Sequence, residues 1–310
     1  MTALRFPDLP GLSELPDTAR ASGPMSLRYE DVAQDGRLML HALPHGIGEV
    51  MWAKTISKAG LAGQLNHQGI IPILTRFVLE GLGGPIAVRK PLFGEGGYWL
   101  AHTVRSEPGP DGDRQSVDRL LLNVFLDVYG ERGRTYGPPP ADAGARVHLG
   151  RVLAEHVFSR PFGPKEERKV VRFDVPGLEP VPPTRHAWRP AQELLDLPDG
   201  ATPLEPSLRP DDAPIVFGLS HTDSNQHVNS LVYPWLFEQA ALRRLAALGR
   251  DARVLSRFCE IAYRKPCFAG DRVQIVLRAF EIEGRLGAVG YFAGREADAS
   301  LGHAFVRMAF

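Results

Sequence analysis

Only two of the 310 residues are cysteine, Cys259 and Cys267. Two thiols cannot complete a metal cage, and their spacing is not C-x-x-C. On one strand they would share a face with parallel Cβ vectors, which disfavours a disulfide between them. Free thiols in a reducing cytoplasm are the expectation. Net charge is also lacking: Lys+Arg and Asp+Glu each total 36, with a pI of about 7.2. No global basic field points to nucleic acid. No apolar run reaches the roughly 18 residues that a membrane-spanning helix needs. The opening "MTALRFPDLPGLSELPDTAR" has no basic segment followed by an apolar core, so it does not read as a secretory signal. A cytoplasmic protein with no nucleic-acid or membrane partner is expected.

Several catalytic signatures are missing. There is no G-x-S-x-G nucleophile elbow. There is no H-E-x-x-H and no paired C-x-x-C, which leaves zinc chemistry without support. G-x-G-x-x-G and the phosphate-loop G-K-[ST] are absent, and "GLGGP" at 81–85 reads as a helix stop. No metal and no redox or organic cofactor is implied.

What is present is an ordinary globular composition, 44% hydrophobic and 23% charged, long enough for one large domain or two average ones. Twelve of the 27 prolines fall between Pro161 and Pro214. The segment 161–210 therefore reads as an extended connector with one short helix near 190–197. It separates an N-terminal block, 25–160, from a C-terminal block, 211–310. In the latter, "APIVFGL" predicts a short strand, and a helix running to about Leu248 stops at Gly249. Four strands follow: "RVLSRFCEIAYRK", "DRVQIVLRAFEI", "LGAVGYFAG" and "LGHAFVRMAF". The N-terminal block gives a similar order: "EVMWAKTI" as a strand, "LNHQGIIPILTRFVLEGLGG" as a helix, then strands in "PIAVRKPLF", "GYWLAHTVRSE", "RLLLNVFLDVYG" and "ARVHLGRVLAEHVFSR". Setting His67 against His227 aligns two helices, each with a proline in its opening turns (Pro72 and Pro234). The fold class this predicts is α+β, with two units packed as a pseudo-dimer.

One stretch carries chemistry: "HTDSNQHVNSLVYPWLFE", residues 221–238. If 221–229 is extended, Asp223, Asn225, His227 and Asn229 point to one side. Asn229 is then placed to cap the following helix, whose N-terminal N–H groups and positive dipole end would favour an oxyanion. Asp223 suits a general base or a covalent nucleophile, and Asn225 and His227 suit orientation of a carbonyl or a water. Asp, Asn and His also crowd into turns and caps for purely local reasons.

The stretch "DSNQHVNSLVYPWLFE" resembles the signature of hotdog-fold thioesterases, and in particular of the plant-type acyl-ACP thioesterases. The later "YRKPCFAGDRV", 263–273, is similar to that family's Y-R-R-E-C segment. Direct resemblance covers about 215–275. It implies two tandem hotdog units, each an antiparallel sheet wrapped around a central helix. It also implies hydrolysis of an acyl thioester carried on acyl carrier protein or coenzyme A, by a monomer with an internal pseudo-dimer or by a homo-oligomer. Asp223, Asn225 and His227 carry over as catalytic residues, with Asn229, Tyr233, Arg264 and Cys267 as substrate contacts. Pro266 stands where the family has a glutamate. Glu260, on the same predicted strand, is either its replacement or an ordinary strand carboxylate. Glu238, about 13 Å along the helix from Asn229, suits a structural role. No Asp precedes His67 by four positions; Gly63 is there. The N-terminal unit is therefore expected to shape the pocket rather than catalyse. Ile70, Ile71, Leu74 and Phe77 would serve the core or an acyl tunnel. Arg243, Arg244, Arg250, Arg253 and Arg257 form either a solvated face or a dock for a phosphate or an acidic carrier. The alternatives are a hotdog dehydratase and a non-catalytic acyl-binding accessory protein.

Overall fold

Residues 4–57, 61–108, 113–294 and 299–310 are described by the computed structural model. The N-terminal half contributes β1 (Arg20–Met25), β2 (Ile71–Gly81), β3 (Leu92–Glu107), β4 (Arg114–Glu131) and β5 (Arg146–Ser159). Three two-residue strands follow: β6 (Thr202–Pro203), β7 (Arg209–Pro210) and β8 (Ile215–Val216). The C-terminal half adds β9 (Phe258–Tyr263), β10 (Arg272–Ile282), β11 (Arg285–Ala293) and β12 (Ala304–Ala309). All join one sheet in the order β1-β3-β4-β5-β2-β9-β12-β11-β10-β6, with β7 and β8 also on β10. In each half three sequential strands form an antiparallel meander (β3–β5 and β10–β12) whose last strand pairs with β2 or β9, and the halves meet where β2 pairs with β9.

Two helices pack on one face of this sheet. The first, Ile47–Ile56, is wide-turned: the Ser57 N–H reaches back five residues to the Trp52 carbonyl. The second is α2 (Val232–Ala247), stopped by Gly249 at φ +72°. A short α1 (Leu61–His67) precedes β2. Strand alternation sorts the side chains. Phe77 and Leu79 on β2, and Cys259 and Ile261 on β9, join the helix-side core with Val50, Met51, Phe237 and Ala240. The opposite face is covered by chain rather than by helices. Phe6 and Leu15 lie against Val78 and Phe258. Leu194 of the connector lies against Ala262 and Phe305.

The C-terminal reading corresponds to β8, α2 and β9–β12, and the connector carries a short 3₁₀ turn at Ala191–Leu195. The N-terminal half departs from the sequence pattern. "EVMWAKTI" belongs to the wide helix, where Ile47, Val50, Met51 and Thr55 are buried at helical spacing. The segment read as a helix from Leu65 instead ends α1 and forms β2. Its apolar run is that of a strand paired on both sides. Pro72 is tolerated because β9 pairing begins only at Arg76. "PIAVRKPLF" is mostly turn, with β3 starting at Leu92. His67 is therefore not the counterpart of His227.

The seam between halves buries charge. Arg76 Nη1 meets Glu260 Oε1 at 2.6 Å, and its Nε lies 3.3 Å from Glu155 Oε2. From the connector, Arg189 reaches Glu260 at 2.9 Å and His186 reaches Glu155 at 3.5 Å. Burial pushes the Glu155 carboxyl up, but His186, Arg76 and Arg189 outweigh it and hold it below the usual carboxylate range. Arg76→Ala leaves two buried carboxylates short of a partner. It should cost about 3 kcal/mol of stability by urea denaturation, and a loss below about 1 kcal/mol would show the pair to be dispensable. The stabilisation from Glu155 is full above the unfolded glutamate pKa and is lost as pH falls through the lower folded value. The urea midpoint of the wild type should therefore drop below about pH 4, and by less in Glu155→Gln.

Candidate active site

Residues 221–230 do not run as a strand. Thr222 and Val228 pair as an isolated bridge, and the chain between them turns back on itself. The Gln226 N–H donates to the Asp223 carbonyl (3.0 Å), and the Asp223 N–H donates to the His227 carbonyl (3.2 Å). Asp223 Oδ1 accepts the Asn225 N–H at 2.9 Å, an Asx turn that wins over the extended conformation. Gln226 takes φ +66° to close the loop. Strand alternation therefore does not set these side chains on one side.

The turn instead folds Asp223 onto Asn229. Asn229 Nδ2 donates to Asp223 Oδ2 at 3.0 Å, and Asn229 Oδ1 accepts the Leu231 N–H at 2.8 Å. Both ends of the amide are engaged, which holds the carboxylate against the approach to α2. Asn229 stands one turn ahead of the regular helix, whose flanking residue is Leu231. Its carbonyl also accepts the Val232 N–H (3.1 Å), so Asn229 occupies two donors at the helix start. His227 Nδ1 lies 3.3 Å from the Val228 carbonyl. A carbonyl only accepts, so Nδ1 is the donor in this contact and Nε2 is not engaged by it.

Three bonds anchor the loop from behind. The Val228 N–H donates to the Cys267 carbonyl at 2.8 Å. The Cys267 N–H donates to the Tyr233 hydroxyl oxygen at 3.2 Å, and the Tyr263 hydroxyl donates to the Ser230 carbonyl at 2.8 Å. Tyr233 packs edge-on against Tyr263 and Phe292. Tyr233 and Cys267, expected as substrate contacts, are thus buried supports of the loop. Burial and the nearby Asp271 push the Cys267 thiol up to about 11, so it stays protonated at neutral pH and is a poor nucleophile. Cys259 and Cys267 are both free.

The other candidates lie elsewhere. Arg264 donates to the Ser300 carbonyl and leans over Phe305, on the connector side of the sheet. There it lines a cavity of about 200 Å³ with Arg76, Glu155 and Arg189. Glu260 faces the same side, locked in the seam, and so does not replace the glutamate absent at Pro266. Glu238 accepts the Ser256 N–H at 3.2 Å, a structural bond. The arginines near the end of α2 are largely occupied: Arg243 by Asp211, Arg244 by Glu205, Arg250 by Glu281 and Arg253 by Asp251. Arg257 donates to the Leu82 carbonyl.

The loop has a true counterpart, 190 residues earlier, that composition hid. Val32 and Leu38 form the same bridge as Thr222 and Val228. Gly36 donates to the Ala33 carbonyl as Gln226 does to Asp223, and Met39 donates to Asp31 as Asn229 does to His221, both of these at 2.9 Å. Gly36 sits at φ +84°, where Gln226 has +66°. A Cβ on Gly36 would also come within 2.6 Å of the Pro85 Cβ. In this copy Ala33, Asp35, Arg37 and Met39 replace Asp223, Asn225, His227 and Asn229.

Two meanders on one continuous antiparallel sheet, each with a helix on the same face, make this a tandem hotdog fold. No protein-family model and no curated protein matches the sequence. Solved structures do resemble it along nearly its whole length. An acyl-ACP thioesterase of Bacteroides thetaiotaomicron is 16% identical, covering 93% of this chain and 96% of that one at a TM-score of 0.53. A Lactobacillus plantarum protein designated an oleoyl thioesterase is 13% identical, with 94% and 96% covered at 0.58. The 12:0-ACP thioesterase of Umbellularia californica is 12% identical, with 95% and 97% covered at 0.50.

The left-handed Gln226 yields a direct test. Gln226→Gly should be neutral or stabilise the fold by up to about 1 kcal/mol, whereas Gln226→Val should destabilise it by about 1–2 kcal/mol. Thermal melts of the two variants would refute the turn geometry if the order were reversed.

Proposed function

We propose that the protein hydrolyses acyl thioesters, with Asp223 as general base. The observation that carries this reading is the Asp223–Asn229 pair held in a surface turn directly before α2. Asp223 takes a proton from water, and the hydroxide adds to the thioester carbonyl. The Ser230 N–H, given no acceptor by the described residues, is the donor offered to the developing oxyanion. Collapse expels the thiolate, which recovers the proton from Asp223. Asn225 and His227 orient the water or the carbonyl. Asn229 positions the carboxylate. Tyr233 and Cys267 contribute by holding the loop, and Arg264, on the connector side of the sheet, takes no part in the step.

The substrate is taken to be acylated carrier protein or coenzyme A, as the fold likeness to acyl-ACP thioesterases suggests. The N-terminal unit (25–160) does no chemistry in this reading, since Ala33 stands where Asp223 stands in the C-terminal unit (211–310), across the 161–210 connector. The internal pseudo-dimer supplies both hotdog halves in one chain. Among the described residues no helix is long and apolar enough to cross a membrane. Two free thiols fit a cytoplasmic setting. Pro266, exposed beside Cys267, favours one rival, a non-catalytic acyl-binding protein.

The test is a panel of acyl-CoA and acyl-ACP substrates of varied chain length, read by thiol release. Asp223→Ala should lower kcat/KM by about 100-fold or more. Wild type and Asp223→Ala equally inert on every substrate would discard the hydrolase, and hydration of an enoyl thioester would point to a dehydratase instead.

A further inference from the structure

The earlier copy of the loop has Ala33 where the later one has Asp223, and it borders a cavity. A space of about 640 Å³ opens beside it, lined by Tyr29, Ala33, Asp35, Arg134 and Tyr136 among others. That volume lies within the range of small-ligand sites. A pair of exposed tyrosines sets its wall apart from the rest of the described surface. Tyr29 and Tyr136 are 60% and 79% exposed, and no other described tyrosine is among the exposed large side chains. They come from segments over 100 residues apart, yet their hydroxyls hydrogen-bond at 3.1 Å. The Val88 N–H donates to Thr135 Oγ1 (3.2 Å), tying the segment that bears Arg134 and Tyr136 to the cavity's other wall. Arg134 has no acidic partner among the described residues, whereas Asp35 is turned toward Arg37 at 3.4 Å.

An aromatic pair, an unpaired guanidinium and a carboxylate around one cavity match the parts of a nucleotide. A base stacks on exposed rings with little regard to sequence or partner. A planar guanidinium suits phosphate oxygens, and a carboxylate accepts from sugar hydroxyls. We propose that this cavity of the N-terminal unit binds a nucleotide, with its base on Tyr29 and Tyr136, its phosphate on Arg134 and its sugar near Asp35. The site is remote in sequence from Asp223 and does not depend on thioester hydrolysis. The nucleotide end of coenzyme A and a free nucleotide share this chemistry.

Titration calorimetry on the full chain with ADP, adenosine, inorganic phosphate and coenzyme A separates the possibilities. Saturable ADP binding is expected, with adenosine and phosphate each at least about tenfold weaker. Arg134→Ala and Tyr136→Ala, both at exposed positions, should each weaken ADP by about tenfold or more while leaving the thermal melt unchanged. Asp223→Ala should bind ADP like the wild type. Coenzyme A binding that is lost in the same two variants identifies the coenzyme's nucleotide end as occupant, and ADP binding without coenzyme A binding identifies a free nucleotide. The proposal is overturned if ADP does not saturate, if phosphate alone binds as tightly as ADP, or if neither exposed variant alters binding. It is equally overturned if Asp223→Ala abolishes binding. None of these readouts uses hydrolysis, so a failure here leaves the hydrolase reading standing, and the reverse holds.

Discussion

The ladder between β2 and β9 is the contact on which the rest of the molecule depends. Without it each half would end in an exposed strand edge, with a row of unpaired backbone groups. The ladder also sets Arg76 diagonally across from Glu260 on one face, and Glu155 and Arg189 complete the set. Charges this deep cost several kcal/mol each to desolvate and are tolerable only when paired. The pairing register of the strands and the pairing of the charges therefore require one another.

The seam also reaches the candidate site. Alternation along β9 sends Glu260 to the connector side and Tyr263 to the helix side. Tyr263 packs against Phe77 of β2 and donates its hydroxyl to Ser230, in the turn that leads into α2. The loop is held by its own Asx turn, by Cys267 from below and by this tyrosine from the seam. The Asp223 carboxylate is itself held by the Asn225 N–H and the Asn229 amide, with no neighbouring acid at position 266.

The two copies of the loop separate geometry from chemistry. Bridge, turn and left-handed residue are the same in both, because backbone hydrogen bonds and one positive φ define them. Their side chains differ at each of the four positions first singled out. Where Asp223 binds Asn229, the other copy has Ala33 and Met39 and a large open cavity with two exposed tyrosines. The shared backbone frame thus carries an acid–amide pair on one half, and on the other it borders a cavity whose aromatic and cationic groups come from neighbouring segments.

By itself the sequence determined the proline-marked connector, the long C-terminal helix with its glycine stop, the four C-terminal strands and the identity of the acid, amide and imidazole group. Those features rest on local propensity and period. Buried positions of the Ile47–Ile56 helix were also written in helical spacing, but Val50 and Trp52 in "EVMWAKTI" imitate a strand's alternation. Tertiary structure alone decided the rest. β2 is a strand because partners in β5 and β9, distant along the chain, satisfy both of its edges. Glu260 is a seam residue because Arg76 meets it from the other half. The motif is a turn because Asp223 finds closer hydrogen bonds in Asn225 and Asn229 than an extended chain would allow. In each case the deciding partner is either far along the chain or reached only once the backbone has folded back, and neither is visible in a window of neighbouring residues.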